Sequence, residues 1–261
     1  MIADNHVHSQ WSWDADLGDM DTTCRRAVEL GLPSIAFTEH TDWVRGPEGV
    51  FDVAGYFDCI ERCRSAYPGL RILTGVELGE PHRYPQEASA LLSAGFERVL
   101  ASVHCVDWRG SPTDASESGF LSASNVDRVF RLYLKEVFAL LTSDQDFEVL
   151  AHLDYPKRYW PADTLYDEAT YEDEFRLVLR AAAARGVAIE VNTTRGREPS
   201  RFLCPGPRVL RWWREEGGEA ISFGSDAHSP EHLATGFTLA REVATAAGFK
   251  PQDDPTGFWL R

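Results

Sequence analysis

Short apolar runs alternate with longer stretches of helical period along the whole chain, and almost every apolar run stops at a side chain that can hold a metal or a proton. Met1-Ile2-Ala3 leads into Asp4-Asn5-His6-Val7-His8-Ser9, where the strand period of two puts both imidazoles on one face of a strand end. Residues 20–31 then read as a helix, capped by Asp19 or Asp21, carrying Ala27, Val28 and Leu30, and ended by Gly31. The strand 33–38 stops at Glu39-His40. Helix 52–66 precedes strand 71–76, which ends in Glu77; helix 85–94 precedes strand 97–103, which ends at His104; helix 124–142 precedes strand 147–151, which ends at His152. Helix 168–185 leads to strand 187–191 and Asn192. Helix 206–216 leads through a Gly-Gly turn to strand 219–223 and Gly224-Ser225-Asp226-Ala227-His228, and a closing helix covers roughly 230–247.

Seven strand and helix alternations without a composition break imply a parallel sheet with right-handed crossovers, in one domain spanning 1–261. Closed on itself, such a sheet is a barrel. Barrel active sites gather at the carboxyl ends of the strands, which is where the His, Glu and Asp residues fall. Taken singly, each histidine reads as an ordinary hydrogen-bonded structural residue. Taken together, so many metal-competent side chains on one rim point to a metal site. The loop 105–122, rich in Ser, Asp and Gly, is expected to be a mobile lid.

Composition narrows the choices. The chain has 261 residues, 43% of them hydrophobic, and no run of about 18 apolar residues that would cross a membrane. Its N-terminus lacks the layout of a signal peptide, so a cytoplasmic protein is expected. Five cysteines without paired CxxC motifs argue against a disulfide framework or a structural zinc knuckle. A net charge of -15 disfavours long nucleic acids as partners, while a small anionic substrate remains compatible if metal ions reverse the local sign.

Taken as a set, Asp-x-His-x-His at the first strand, Glu-His at the second, Gly-Val-Glu at the third, Ser-Val-His at the fourth, Ala-His-Leu-Asp at the fifth and Gly-Ser-Asp-Ala-His at the seventh resemble the PHP (polymerase and histidinol phosphatase) superfamily. Ser9-x-x-Ser12-x-Asp14, His152-Leu153-Asp154-Tyr155-x-x-Arg158-Tyr159, and Glu190-Val191-Asn192-Thr193 followed by Arg197 look most like its histidinol-phosphate phosphatase branch. The resemblance implies a distorted seven-stranded (β/α) barrel, of α/β class, holding three divalent metal ions. Carried over residue by residue, one ion takes His6, His8, Glu77 and Asp226; a second shares Glu77 and adds His104 and His152; a third takes Asp14, with Asp16 as its neighbouring alternative, His40 and His228. A mixture of imidazole and carboxylate without thiolate suits zinc, iron or manganese.

A phosphate monoester resists hydroxide, so its catalyst must neutralise the phosphate and acidify a water. The expected activity is metal-dependent phosphomonoester hydrolysis of a small metabolite, L-histidinol phosphate first among them, by a hydroxide bridging two metals. Arg158 and Arg197 are the expected phosphate clamps, and Asp226, His228 or a metal-bound water the acid for the leaving group. A phosphodiesterase or exonuclease acting on small nucleotides, and a non-catalytic module of the same fold, are the alternatives. His82, after Glu80-Pro81, is a further candidate substrate contact, ahead of His232. Asp4 and Glu39 read as hydrogen-bonding groups rather than ligands. Arg195 and Arg201 read equally well as solvated charges. Trp11, Trp13, Trp43, Trp108 and Trp160 fall in rim loops, where they could stack on substrate or cap the barrel mouth. The chain departs from the branch at Thr194-Arg195-Gly196, where a small residue, Gly and Leu are usual, which bears on substrate identity more than on reaction type.

Overall fold

A computed structural model describes residues 2–194, 203–254 and 256–261. Its sheet runs β1 (Asp4–Val7), β2 (Ser34–Thr41), β3 (Arg71–Gly79) and β4 (Arg98–Ser102), and then skips a hairpin of β5 (Cys105–Trp108) and β6 (Ser111–Asp114). It continues through β7 (Val149–Leu150), β8 (Ala188–Asn192) and β9 (Ala220–Gly224) to β10 (Trp259–Leu260). Neighbours from β1 to β9 are parallel; β10 is antiparallel to β9. The crossovers carry α1 (Met20–Leu30), α2 (Val53–Ala66), α3 (Pro85–Leu92), α4 (Val126–Leu141), α5 (Glu172–Arg185) and α6 (Pro207–Glu215), with α7 (Phe237–Ala246) after β9. The α/β barrel expectation holds, and its distortion has a visible cause. β9 meets β1 only at the carboxyl rim, where the Asp226 amide donates to the His6 carbonyl (2.8 Å) and the His8 amide to the Ala227 carbonyl (2.9 Å). Towards its amino end, β10 occupies the same edge of β9, pairing Trp259 with Ile221 and Leu260 with Ala220.

Asp4 clips this closure. One carboxylate oxygen accepts the Ser225 amide (2.9 Å) and the other the Ala234 amide (3.0 Å), as its reading as a hydrogen-bonding residue anticipates. Between Asp4 and Val7 the register on β2 slips by one residue, a bulge of the kind that re-aims side chains at barrel rims.

The helices cover the sheet by amphipathic burial. α4 buries Val126, Val129, Phe130, Tyr133, Leu134, Val137, Leu140 and Leu141, the i, i+3, i+4, i+7 stripe of a helix lying on a core. That core includes side chains of α5 and α6. Cys24, Ala27, Tyr56 and Ile60 of α1 and α2 help to form another, which covers β1 to β3. All five cysteines are buried and free. No helix among the described residues is long and apolar enough to cross a membrane.

Three expectations need correction. β2 and β3 run on to Thr41 and Gly79, so His40 and Glu77 lie inside paired strands rather than beyond them. The closing helix starts only at Phe237, after a single 3-10 turn at Pro230–His232 and a left-handed Gly236. The loop expected as a lid carries the β5–β6 hairpin, because Arg109 (φ 57°) and Gly110 (φ 86°) supply the two left-handed residues of a tight turn.

Removing the Asp4 carboxylate leaves two buried amides without acceptors, each worth about 1–3 kcal/mol. Asp4→Ala is expected to lower the unfolding free energy by about 2–4 kcal/mol. Urea denaturation followed by circular dichroism checks this; an unchanged midpoint contradicts the clip.

Candidate metal centre

Glu77 is the middle of the site. β2–β3 pairing sets His40 directly beside it, and β1 and the segments following β4 and β7 bring four more imidazoles to the same carboxylate. Its Oε2 lies 3.1 Å from His6 Nε2, 3.5 Å from His8 Nε2 and 3.0 Å from His40 Nδ1. Its Oε1 lies 2.7 Å from His152 Nε2 and 3.4 Å from His104 Nε2. Asp226 Oδ1 approaches His8 Nε2 at 3.1 Å and His6 Nε2 at 3.6 Å. Towards the mouth, Asp14 Oδ2 lies 3.2 Å from His228 Nε2 and 3.6 Å from His40 Nε2.

Among the described residues, four groups have donor atoms close enough to share an ion: His6, His8 and Glu77; Glu77, His104 and His152; His8, His40 and His228; and His40, Asp42 and His104. The first three overlap the three expected ligand sets, the first without Asp226 and the third with His8 in place of Asp14. The fourth brings in Asp42, which was not anticipated. Asp14 rather than Asp16 faces His40 and His228.

An outer ring of acceptors fixes which nitrogen of each ring points inward. Glu190 Oε1 accepts His6 Nδ1 (2.7 Å), Ser12 Oγ accepts His8 Nδ1 (3.0 Å), Asp42 Oδ1 accepts His104 Nδ1 (3.0 Å), and the Asp226 carbonyl accepts His228 Nδ1 (2.9 Å). Each bond turns Nε2 to the centre, so that loss of the Nε2 proton gives the tautomer a metal needs. Ser12 donates in turn to Glu39 (2.6 Å), which also takes the Ser9 hydroxyl, so Glu39 orients rather than binds. Glu190 further accepts the His152 amide (2.8 Å) and the Asn192 side chain (3.0 Å). Two glycines make room for this ring. A Cβ on Gly224 would stand 2.1 Å from Glu190 Oε1 and 2.4 Å from His6 Cβ, and one on Gly79 would stand 2.1 Å from Asp42 Oδ1. His152 (φ 21°) and Asp226 (φ 53°) hold left-handed backbones, strain of the sort that collects at functional sites.

The electrostatics suit cations. Burial works to raise Glu77 and Asp226, but His6 and His40 around the first, and His6 and Arg158 around the second, hold both well below the usual carboxylate range. Burial, reinforced by His40 and His228, pushes His8 down to about 3, so its imidazole is neutral. Against burial, Glu77 and Asp14 lift His40 to about 9. Burial likewise opposes the charge on His6, which Glu190, Glu77 and Asp226 lift well above its ordinary value, and on His104, which Asp42 lifts. With their Nδ1 atoms committed to Glu190 and Ser12, the Nε2 atoms of His6 and His8 face each other at 3.0 Å beside Glu77 and Asp226. Two inward ring nitrogens, that of His6 once a cation displaces its proton, and two ionised carboxylates are the donor set of a divalent cation, and nitrogen and oxygen donors fit zinc, iron or manganese.

Above the cluster opens a cavity of about 590 Å³, within the usual range for a small-molecule site. Arg158 lines it, with one guanidinium nitrogen 3.0 Å from Asp226 Oδ2 and the group over the Tyr155 ring at 5.2 Å. His232 and Trp13 are also on its wall. The other four tryptophans named above are not: Trp160 packs on Phe130, Trp108 on Phe120, Trp43 on Tyr84, and Trp11 beside Gly55. Arg195, Arg197 and Arg201 lie outside the described residues. The expectation for His82 is corrected. Its Nε2 meets Glu136 Oε1 on α4 at 2.7 Å, beside Arg83 at 2.5 Å, and it does not line the cavity.

Asp42 had a readable signal, since His40-Thr41-Asp42 repeats the period of His6-Val7-His8. Glu190 stood within a motif quoted for the family branch, without a role. Its partner His6 lies 184 residues away, a pairing that local pattern does not reveal.

A parallel barrel with a buried imidazole and carboxylate cluster at its carboxyl rim defines a metal-binding α/β protein. The family model for the PHP domain matches residues 4–194, and the chain belongs to that family. It is 29% identical to a probable histidinol-phosphatase of Clostridium acetobutylicum, with 96% of each chain covered. It is 28% identical to the histidinol-phosphatase of Lactococcus lactis, over 94% of this chain and 91% of that one. The crystal structure of the Lactococcus lactis histidinol phosphate phosphatase, complexed with zinc, L-histidinol and phosphate, superposes with a TM-score of 0.83 at 25% identity, covering 95% of this chain and 94% of that one. A putative histidinol phosphatase from Listeria monocytogenes shares the fold, with a TM-score of 0.76 at 15% identity over 91% of this chain and 99% of that one.

Glu136 is pulled down to about 2, because His82 and Arg83 outweigh the burial that would raise it. A depressed acid contributes stability above its ordinary pKa of 4.5 and loses it as pH falls towards the folded value. Glu136→Gln is therefore expected to be less stable than the parent at pH 7, with the gap narrowing below about pH 4.5. Thermal unfolding across pH checks the sign, and a gap that widens on acidification contradicts it.

Proposed function

We propose that this chain, as a single domain over 1–261, is a cytoplasmic phosphomonoesterase that converts L-histidinol phosphate to L-histidinol and phosphate with three bound divalent ions. The observation that carries the reading is the cluster of six imidazoles with Glu77, Asp14 and Asp226, which runs from a buried floor to the mouth of the cavity that Arg158 lines. The likeness to histidinol phosphatases over nearly the full length of each chain supports the substrate.

His6, His8, Glu77 and Asp226 would hold one ion; Glu77, His104 and His152 a second; Asp14, His40 and His228 a third. Zinc, iron and manganese all fit these donors. Bound there, the ions supply positive charge for the phosphate oxygens and acidify a water. The side chains do the rest. Arg158, with a guanidinium that can reach two oxygens at once, and Arg197 clamp the phosphate.

Asp226 stays ionised, so it accepts and orients rather than delivering a proton. That leaves His228 as the side chain to protonate the leaving alkoxide. Its Nδ1 is bound to the Asp226 carbonyl, so its Nε2, facing Asp14 near the mouth, must serve either as ligand or as proton donor. A direct proton transfer would need the ring to leave the third ion during turnover; a water held beside it avoids that movement.

Phosphate release with manganese or zinc present, measured on L-histidinol phosphate, sugar phosphates, nucleoside monophosphates and a phosphodiester, tests the reading. L-Histidinol phosphate is expected to lead in kcat/KM, a chelator to abolish turnover, and Arg158→Ala to lower kcat/KM about 100-fold. Equal turnover of the diester overturns the monoesterase assignment, and full activity of Arg158→Ala overturns the clamp.

A further inference from the structure

Asp42 is used by none of the steps above, yet it is almost fully buried between the metal cluster and the cavity wall. Its backbone is held at both ends, with its amide donating to the Gly49 carbonyl (2.8 Å) and its carbonyl accepting from the Arg45 amide (2.9 Å). One carboxylate oxygen accepts His104 Nδ1 at 3.0 Å, and the other accepts the Trp13 indole N–H at 2.8 Å. Gly79 leaves the space in which that carboxylate sits.

We propose that Asp42 is a positioning residue that sets the His104 ring for the second metal pocket while fixing Trp13 as part of the substrate cavity wall. The proposal rests on the metal-binding reading of the cluster. With Nδ1 taken, His104 has only Nε2 to offer, and that atom is the one 3.4 Å from Glu77, which would be shared by the first two ions. Asp42 also comes within 3.6 Å of His40 Nδ1, but that nitrogen is nearer to Glu77, at 3.0 Å. Both Asp42 oxygens receive N–H donors from His104 and Trp13 at shorter distances than the 3.6 Å that separates the carboxylate from His40.

The second hydrogen bond has consequences at the mouth. The Arg45 guanidinium stacks 3.6 Å above the Trp13 ring and reaches Asp114 on the hairpin at 3.4 Å. Trp13 and Asp114 both line the cavity. The loop after β1, the loop after β2 and the hairpin after β4 thus meet in one chain of contacts that begins at Asp42. The ring that faces substrate and the ring that faces metal are held by the two oxygens of one side chain.

Zinc affinity by competition with a chromophoric chelator, measured on the full chain without substrate, tests the proposal, alongside kcat and KM on a phosphate monoester. Asp42→Ala is expected to weaken one zinc site about 10- to 100-fold, the usual effect of losing a carboxylate behind a metal-bound histidine. Asp42→Asn, whose amide oxygen still accepts from His104, is expected to recover most of that affinity. Trp13→Phe keeps the ring and loses the hydrogen bond, so zinc affinity should stay within about twofold while KM rises several-fold. Wild-type zinc affinity in Asp42→Ala overturns the proposal. So does Asn binding zinc as poorly as Ala, which would make the carboxylate itself a ligand, or Trp13→Phe losing zinc as Asp42→Ala does, which would mean general loosening. If Asp42→Ala does not fold, nitrogen-15 spectra of zinc-loaded Asp42→Asn decide: His104 protonated on Nδ1 supports the assignment and protonated on Nε2 overturns it. An inactive wild type that still binds zinc would sink the phosphatase reading and leave this one standing.

Discussion

A single buried carboxylate governs this molecule. Glu77 has no exposure to water, sits inside a paired strand, and faces five imidazoles. A charge so placed is tolerated only with opposite charge close at hand. The histidines supply part of that charge in the protein alone, and divalent cations would supply more. The rest of the rim follows from the need to hold those rings in place. Glu190, Asp42 and Ser12 fix the outward nitrogens, Glu39 fixes Ser12, and Gly79 and Gly224 clear space for the carboxylates.

The barrel's closure serves the same end. β9 is bonded to β1 at the rim, where His6 and His8 meet Asp226 across the seam, while β10 occupies the edge lower down. Asp4 ties the seam from behind through the amides of Ser225 and Ala234. The strained Asp226 backbone lies between these contacts, so packing and hydrogen bonding around it maintain a conformation that the residue alone would not favour.

Much of this was legible from period alone. Each strand alternates its side chains, so a polar residue at the end of an apolar run announces the rim, and that signal places His6, His8, His40, Glu77, His104, His152 and Asp226 there, while their pairing into ligand sets comes from the family resemblance. Asp42 carried the same signal, two residues past His40, and was passed over because the strand was ended too early. Glu190 and Gly224 were not legible in their roles, since what they do depends on a neighbour far away in the chain. His82 misled for the opposite reason. A histidine in a rim loop resembles a substrate contact until α4 brings Glu136 beside it. The segment expected as an irregular loop carries a turn signal, Arg109-Gly110, whose left-handed backbone closes a hairpin.

The central claim is that Glu77 bridges two of three ions on this rim. Anomalous diffraction at the zinc edge, from crystals of the zinc-loaded protein, tests it most directly. The account predicts three peaks: one beside His6, His8 and Asp226, one beside His104 and His152, both within bonding distance of Glu77, and one beside Asp14, His40 and His228. A fully loaded crystal with a single peak, or with Glu77 bonded to none or only one of the ions, would contradict it.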